Sequence, residues 1–247
     1  IDDPFERAMG YVGIGEAWLA DGDEISAQSL FEQAKLEAEL VHGKFEQSEI
    51  YKKIARLEAK HGDWAEAYLT INKIPDQKEK AEVLVAMVRF QAEKWNLKAA
   101  IQLTETISEA SIKNLASSSI AVAQAEKGDL AGGLRTARAI PDIYYRATAL
   151  SAIATQMVKN NSKSEAQKIY QEAKQIARVL REESFDKAVL LTVIAEGTFR
   201  MGDASSAVEI FQESHQAAMT IPQDIYYNKA QALQYLAEAL SSCGYGK

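Results

Sequence analysis

YVGIGEAWLADGDEISAQSLFEQA (Tyr11–Ala34) holds an aliphatic–small pair, Ile14-Gly15, a Gly22-Asp23 break seven residues on, and Ala27 five residues past the break. The same phrase recurs along the chain. The later pairs are Ile54-Ala55, Met87-Val88, Ile120-Ala121, Ile153-Ala154, Ile194-Ala195 and Leu236-Ala237. In each, the break lies seven residues past the second member: Gly62, Trp95, Gly128, Asn161, Gly202 and Gly244. Five residues beyond the first six breaks stand Ala27, Ala67, Ala100, Gly133, Ala166 and Ala207. Self-similarity at this period predicts an array of helix-turn-helix units in which each unit buries its apolar face on its neighbours.

The local chemistry of one unit predicts its shape. Gly adopts the left-handed conformation that closes a first helix, here helix A. The Asp that follows caps the exposed amides of a second helix, helix B. Asn161 tolerates the same left-handed geometry, with Ser162 as the following cap. Trp95-Asn96 departs from the pattern, although Asn96 still serves as a cap. Antiparallel helices approach to about 8–10 Å only where the side chains at the crossing are short. Gly15, Ala55, Ala121, Ala154, Ala195 and Ala237 supply that on helix A, and the Ala and Gly set above on helix B. Tyr11, Ile14, Trp18 and Phe31 are expected to fill the grooves of the first unit, Ile153, Met157 and Tyr170 those of the fifth, and Ile194 and Phe211 those of the sixth.

The breaks are spaced 40, 33, 33, 33, 41 and 42 residues apart, so the central repeats are short. The extra residues elsewhere amount to about two helical turns, which preserve the face of a helix. They place longer second helices over Glu24–Val41, Lys163–Arg181 and Ala204–Thr220. Pro75, Pro141 and Pro222 end a helix B, and Asp76-x-x-Glu79 reads as a capping box for the next helix. Two of these corners lead into matching phrases, Asp142-Ile143-Tyr144-Tyr145 and Asp224-Ile225-Tyr226-Tyr227, whose tyrosines wedge adjacent units or offer a docking site. The units are 4–43, 44–76, 77–109, 110–142, 143–183 and 184–224, with a cap over 225–247, all in a single repeat domain over 1–247.

Composition fits an all-α chain. Of 247 residues, 47% are apolar, with only 13 Gly and 4 Pro, and no period-two runs of Val, Ile and Thr predict a sheet. The formal net charge of −7, mixed along the chain, argues against a nucleic acid partner, which needs clustered Lys and Arg. One cysteine, Cys243, leaves no internal disulfide framework and no Cys-based metal site. No apolar run approaches the roughly 18 residues of a membrane-spanning helix. The chain begins at Ile1, which fits a removed signal peptide, a tag or an excised domain; the compartment, cytoplasmic or exported, stays open.

Tyr11-x-x-Ile14-Gly15-x-x-Trp18 followed by Ala27-x-x-x-Phe31-x-x-Ala34 resembles the tetratricopeptide repeat, and the spacing extends over essentially the whole chain. The resemblance is strongest in the first unit and weakest in the third, where Val88 and Trp95 replace the small residue and the glycine. It implies a right-handed superhelix, an α-solenoid, of about six helix-turn-helix repeats plus a C-terminal capping helix, with helix A lining a concave groove. The groove stripe it implies includes Met9, Val12, Glu16 and Leu19, then Glu49, Lys52, Arg56 and Lys60, then Glu82, Val85, Arg89 and Glu93. It continues through Leu115, Ser118, Val122 and Glu126, then Thr148, Ser151, Thr155 and Val158, then Val189, Thr192, Glu196 and Phe199. Lys52, Arg56, Lys60 and Arg89 make a basic spot that either clamps a carboxylate or pairs with Glu49, Glu58 and Glu82. The Lys and Asn pattern of the family's carboxylate clamp is not present in full. The neutral stretch from Leu115 to Phe199 suits an amphipathic helix or a hydrophobic ligand.

Nothing in the sequence has the spacing of a catalytic or cofactor site. His42, His61 and His215 lack the i, i+4 pairing of helical zinc sites, and no phosphate loop or nucleophile elbow is present. Gly10-x-x-Gly13-x-Gly15 lies inside a helix and allows close helix approach. The expectation is a non-enzymatic module, with no cofactor or metal, that holds a peptide or partner protein in its groove. A carrier of a lipid-like molecule in an apolar cavity is the alternative.

Overall fold

The computed structural model describes residues 2–181, 184–222 and 226–244. Among them are thirteen α-helices and no strand. In chain order they are α1 (Pro4–Ala20), α2 (Glu24–Glu39), α3 (Lys44–Lys60), α4 (Trp64–Asn72), α5 (Gln77–Glu93), α6 (Leu97–Glu105) and α7 (Ala110–Glu126). Then come α8 (Leu130–Arg138), α9 (Ile143–Lys159), α10 (Lys163–Arg178), α11 (Phe185–Arg200), α12 (Ala204–Thr220) and α13 (Tyr226–Ser242). The chain forms two compact units, one of residues 1–87 with 103–112, the other of residues 88–102 with 113–247.

Each helix hairpin is closed as the sequence chemistry requires. All seven breaks have positive φ: Gly22 (85°), Gly62 (93°), Trp95 (65°), Gly128 (92°), Asn161 (62°), Gly202 (99°) and Gly244 (84°). At the first, the Gly22 amide donates to the Leu19 carbonyl at 3.1 Å and the Asp23 amide to the Trp18 carbonyl at 2.9 Å. This pair of bonds satisfies carbonyls that a helix end leaves orphaned, and it repeats at the next five breaks. Trp95 therefore keeps the geometry of the pattern although it is not a glycine. The caps follow: Asp23 accepts from the Ser26 amide at 3.0 Å, Asp129 from Gly132 at 2.8 Å and Asp203 from Ser206 at 3.1 Å. Ser162 stands at the cap position of α10 without a side-chain hydrogen bond.

The long second helices α2, α10 and α12 have 16, 16 and 17 residues, and the short ones, α4, α6 and α8, have 9 each. α2 and α10 end two and three residues before the expected Val41 and Arg181. Consecutive helices pack: α1 on α2, α3 on α4, α9 on α10, α11 on α12, and each of α2, α8, α10 and α12 on the helix after it. The contacts fall on the small residues. Ala27, Ala67, Ala100, Ala166 and Ala207 are fully buried, as are Ala121, Ala154 and Ala195. A Cβ built on Gly15 would lie 2.6 Å from the Phe31 ring, and one on Gly133 would lie 2.7 Å from the Ala121 carbonyl oxygen.

Three packing expectations are corrected. Ile14 and Trp18 are 53% and 42% exposed, not core. Ala237 is exposed, because α13 has no second helix against it among the described residues. The capping box at Asp76 is half formed: Asp76 accepts from the Glu79 amide at 3.0 Å, but the Glu79 carboxylate binds Lys52. Tyr144 and Tyr145 meet edge to face at 5.3 Å between ring centres, and Tyr145 packs on the core of the second unit, which supports their role as a wedge. The matching phrase at Asp224 and Ile225, with the Tyr226 side chain, lies outside the described residues.

Candidate functional site

Faces of the first helix of each hairpin follow from about 100° of rotation per residue. Taking the aliphatic member of each pair as origin, the small residue after it lies at about 100°. The positions two before and five after lie within about 60° of that, so they turn toward helix B. Burial agrees: Val12 and Ser151 are fully buried, Ser118 and Thr192 are at 6% and 4%, and Leu19 is at 8%. Only the positions five before, two after and six after, at about 200–240°, remain on the open side. The implied groove stripe therefore mixed two faces.

This sorts the predicted site residues. Ser151 is withdrawn from the groove; its hydroxyl is buried and donates to the Ala147 carbonyl at 2.9 Å. Val158 and Phe199 are partly buried and pack on the core of the second unit, so they too face inward. The Thr155 hydroxyl donates to the Ser151 carbonyl and shares a 2.7 Å hydrogen bond with the Tyr170 hydroxyl. Val189 is partly exposed, and Leu115 is 38% exposed on α7.

The basic spot does not act as one feature. Lys52 is held between the carboxylates of Glu49 and Glu79. Burial alone would lower its pKa, but these two hydrogen-bonded carboxylates raise it, so the cation is locked in an internal pair. Arg56 and Lys60 stay exposed, with no ion pair among the described residues. Arg89 bonds Glu93 one turn away at 3.1 Å, with most of its side chain in solvent. Glu58, expected to pair on the surface, is buried instead. Its carboxylate meets the buried Lys35 ammonium at 2.9 Å and accepts from Thr70 at 2.8 Å. Burial raises the Glu58 pKa.

Three predicted residues converge. Arg89, Ser118 and Val122 line one concavity of about 190 Å³ with Glu93, Ser119 and Glu126. All lie in the second compact unit, Arg89 and Glu93 near the end of α5 and the rest along α7. The lining is aliphatic and hydroxylic, with one guanidinium and two carboxylates. Such a site suits a side chain that is apolar at its base and polar at its tip, held by a few directional contacts.

Sequence reasoning missed a second feature, an apolar furrow of about 360 Å³ between α12 and α13, lined by Val208, Phe211, Gln212, His215, Leu236 and Leu240. His215 had been read only as a residue without a metal partner. The one group of carboxylates close enough to hold a cation among the described residues, Glu32, Glu58 and Glu66, already surrounds the Lys35 ammonium, at 2.7, 2.9 and 3.5 Å. Cys243 is buried, and burial raises its pKa, which disfavours the thiolate. Compared with family models and with curated proteins, the chain matches none.

Proposed function

We propose that this chain is a tetratricopeptide-like interaction module, a right-handed superhelix with no catalytic role, that binds an extended peptide or a partner protein along the open face of its first helices. The observation that carries the proposal is the shared concavity of Arg89 and Val122, because residues 33 apart in the sequence meet there through the repeat itself. The Arg89–Glu93 pair offers a cation and an anion to a bound backbone or side chain at modest cost, since exposed pairs are worth at most about 1 kcal/mol. Val122 supplies the apolar contact.

Selection of peptides from a random displayed library against the full chain tests this. Enriched sequences should share an apolar residue beside an acidic or amide residue, and Arg89→Glu and Val122→Arg should each weaken them at least tenfold. Enrichment that ignores both substitutions, or no enrichment at all, refutes the assignment.

The furrow at Val208, Phe211 and Leu240 favours a second reading, a carrier of a hydrophobic ligand. Its volume is at the lower end for small-molecule sites. Uptake of a fluorescent fatty acid that Leu240→Glu abolishes supports it; no uptake removes it.

A further inference from the structure

We propose that Lys113 and Arg146, near the starts of α7 and α9, form a docking edge that holds an acidic segment of a partner protein in extended conformation, with a carboxylate at every third residue. The edge is a different surface from the concavity at Arg89, and the proposal does not rest on that concavity.

The repeat shows what a cation at this position ordinarily does. Seven residues before the aliphatic member of each pair stands a Lys or Arg, except in the second unit, where the residue is Gln47. It is the third or fourth residue of the first helix, where the helix dipole disfavours positive charge. In four units a bond offsets this. Lys187 and Lys229 donate to the carbonyls of Arg178 and Met219, at 3.5 and 2.8 Å, near the end of the preceding helix. Gln47 does the same to Ala38 at 2.9 Å, and Arg7 pairs with Glu37 at 2.7 Å. The other three, Lys80, Lys113 and Arg146, follow the short second helices and have no hydrogen bond or ion pair among the described residues. The carboxylate four residues before each is engaged elsewhere. Asp76 accepts from the Glu79 amide, Glu109 from the Ser111 hydroxyl, and Asp142 from the Tyr144 and Tyr145 amides. A cation kept where the dipole penalises it, without the bond that offsets the penalty in the other units, points to an anion from outside the chain. Lys113 and Arg146 both belong to the second compact unit.

The surroundings of Arg146 select the chemistry of the occupant. With Arg138, Glu172 and Gln175 it lines an open hollow of about 410 Å³ between α8, α9 and α10, beside Ile176 and Val179, the latter 73% exposed. Arg138 already grips Glu172 through two bonds, at 3.0 and 2.7 Å, so Arg146 is the guanidinium left to take a ligand. A planar guanidinium receives a carboxylate through two parallel bonds. The aliphatic wall covers the methylene stem of a glutamate. The repeat then sets the spacing. Lys113 and Arg146 stand 33 residues, one repeat, apart. First helices of consecutive units pack directly where α9 meets α11 and α11 meets α13, and packed helices lie about 8–10 Å apart. An extended or polyproline II chain covers about 9–10 Å in three residues. In polyproline II every third side chain also shares one face. A segment with an acid at every third position therefore matches one cation per repeat.

The test uses the full chain and a labelled peptide with Glu at every third position of a proline-rich backbone, read by fluorescence anisotropy. The peptide should bind. Lys113→Glu and Arg146→Glu should each weaken it about fivefold or more, as the loss of one exposed ion pair allows, with an unchanged circular dichroism spectrum. Lys159→Glu, the same change of charge at the other end of α9, should leave binding unaltered. A peptide with Lys in place of Glu should bind the Lys113→Glu/Arg146→Glu double variant and not the parent. Failure of the Glu peptide to bind the parent at low ionic strength overturns the proposal, as does equal weakening by Lys159→Glu. Equal binding of a peptide whose glutamates are adjacent overturns the spacing. Displacement of the peptide by inorganic phosphate at equal concentration marks a site for a single anion and overturns the partner.

Discussion

Gly133→Ala and Gly13→Ala are the same substitution in two helix interiors, and the structure gives them opposite signs. Replacing a glycine inside a helix by alanine gains roughly 0.8–1 kcal/mol of helix propensity. At Gly13 nothing lies within 4 Å of the added methyl, so the gain is expressed in full. At Gly133 the methyl would sit 2.7 Å from the Ala121 carbonyl oxygen, with the Ala125 amide at 3.4 Å behind it. Ordinary carbon–oxygen contacts begin near about 3.3 Å, so α8 and α7 must separate by roughly half an ångström. The obstacle is backbone, which cannot rotate away. Over-packing of this kind costs about 1–3 kcal/mol, which exceeds the propensity gain over most of that range. Gly133→Ala should therefore lose about 1 kcal/mol net and Gly13→Ala should gain about the same. Urea unfolding by circular dichroism reads both midpoints. Amide exchange along α8 localises the first effect, because opening in a repeat array is local. If both alanines stabilise equally, the hairpin contact at Gly133 is not close, and the steric account of the small residues fails.

Three further outcomes follow from named contacts. Lys35→Met leaves the Glu58 carboxylate, 2% exposed, without its buried cation, and should cost roughly 3–5 kcal/mol. Adding Glu58→Leu should recover most of that loss in the urea midpoint, and a single variant as stable as the parent refutes the pairing. Trp95→Gly removes a side chain from a left-handed position with φ of 65° and should raise stability by about 1 kcal/mol, read as a shift in the thermal midpoint. Asp23 and Asp203 are held below the ordinary carboxylate range, chiefly by hydrogen bonds from the Ser26 and Ser206 amides. Since their folded pKa values are depressed, their contribution is present above the unfolded value, near pH 4, and disappears as pH falls through the folded one. Asp23→Asn with Asp203→Asn should therefore flatten the acid limb of a plot of urea midpoint against pH; a limb that keeps its full slope refutes it.

What the sequence made legible was set by residues acting on their immediate neighbours. The left-handed breaks, the Asp caps and the short central second helices all depend on side chains within a few positions, and they stand where the spacing put them. The small residues at the hairpin contact were legible for a related reason, because six copies of one spacing leave a single face that the pattern can mean. The candidate site was only partly legible. A helical stripe taken every three to four residues drifts across two faces, so Ser151, Val158 and Phe199 were drawn into a groove they turn away from. Arg89, Ser118 and Val122 converge because their units repeat at a constant spacing, which the sequence does contain. Lys35 and Glu58 read as ordinary solvated charges; only the packing of α2 against α3 shows that they bury each other. Trp95 looked like a failure of the repeat, yet the bonds from the Trp95 and Asn96 amides to Ala92 and Gln91 impose the turn without a glycine.

The exposed faces of α1 and α13 differ in a way that bears on how the array meets solvent. On α13 the face that holds a second helix in the first, second, fifth and sixth units consists of Ala230, Gln234, Ala237 and Ser241, all exposed. Leaving it bare costs little, because the side chains are short or carry their own hydrogen-bonding groups. The corresponding face of α1 is filled: Ala8, Val12, Gly15 and Leu19 are buried under α2. The exposed apolar surface of α1 lies instead on its other side, at Ile14 and Trp18. Burying one such side chain is worth about 1.5–3 kcal/mol, so leaving Ile14 and Trp18 in water costs more than leaving the bare face of α13 there.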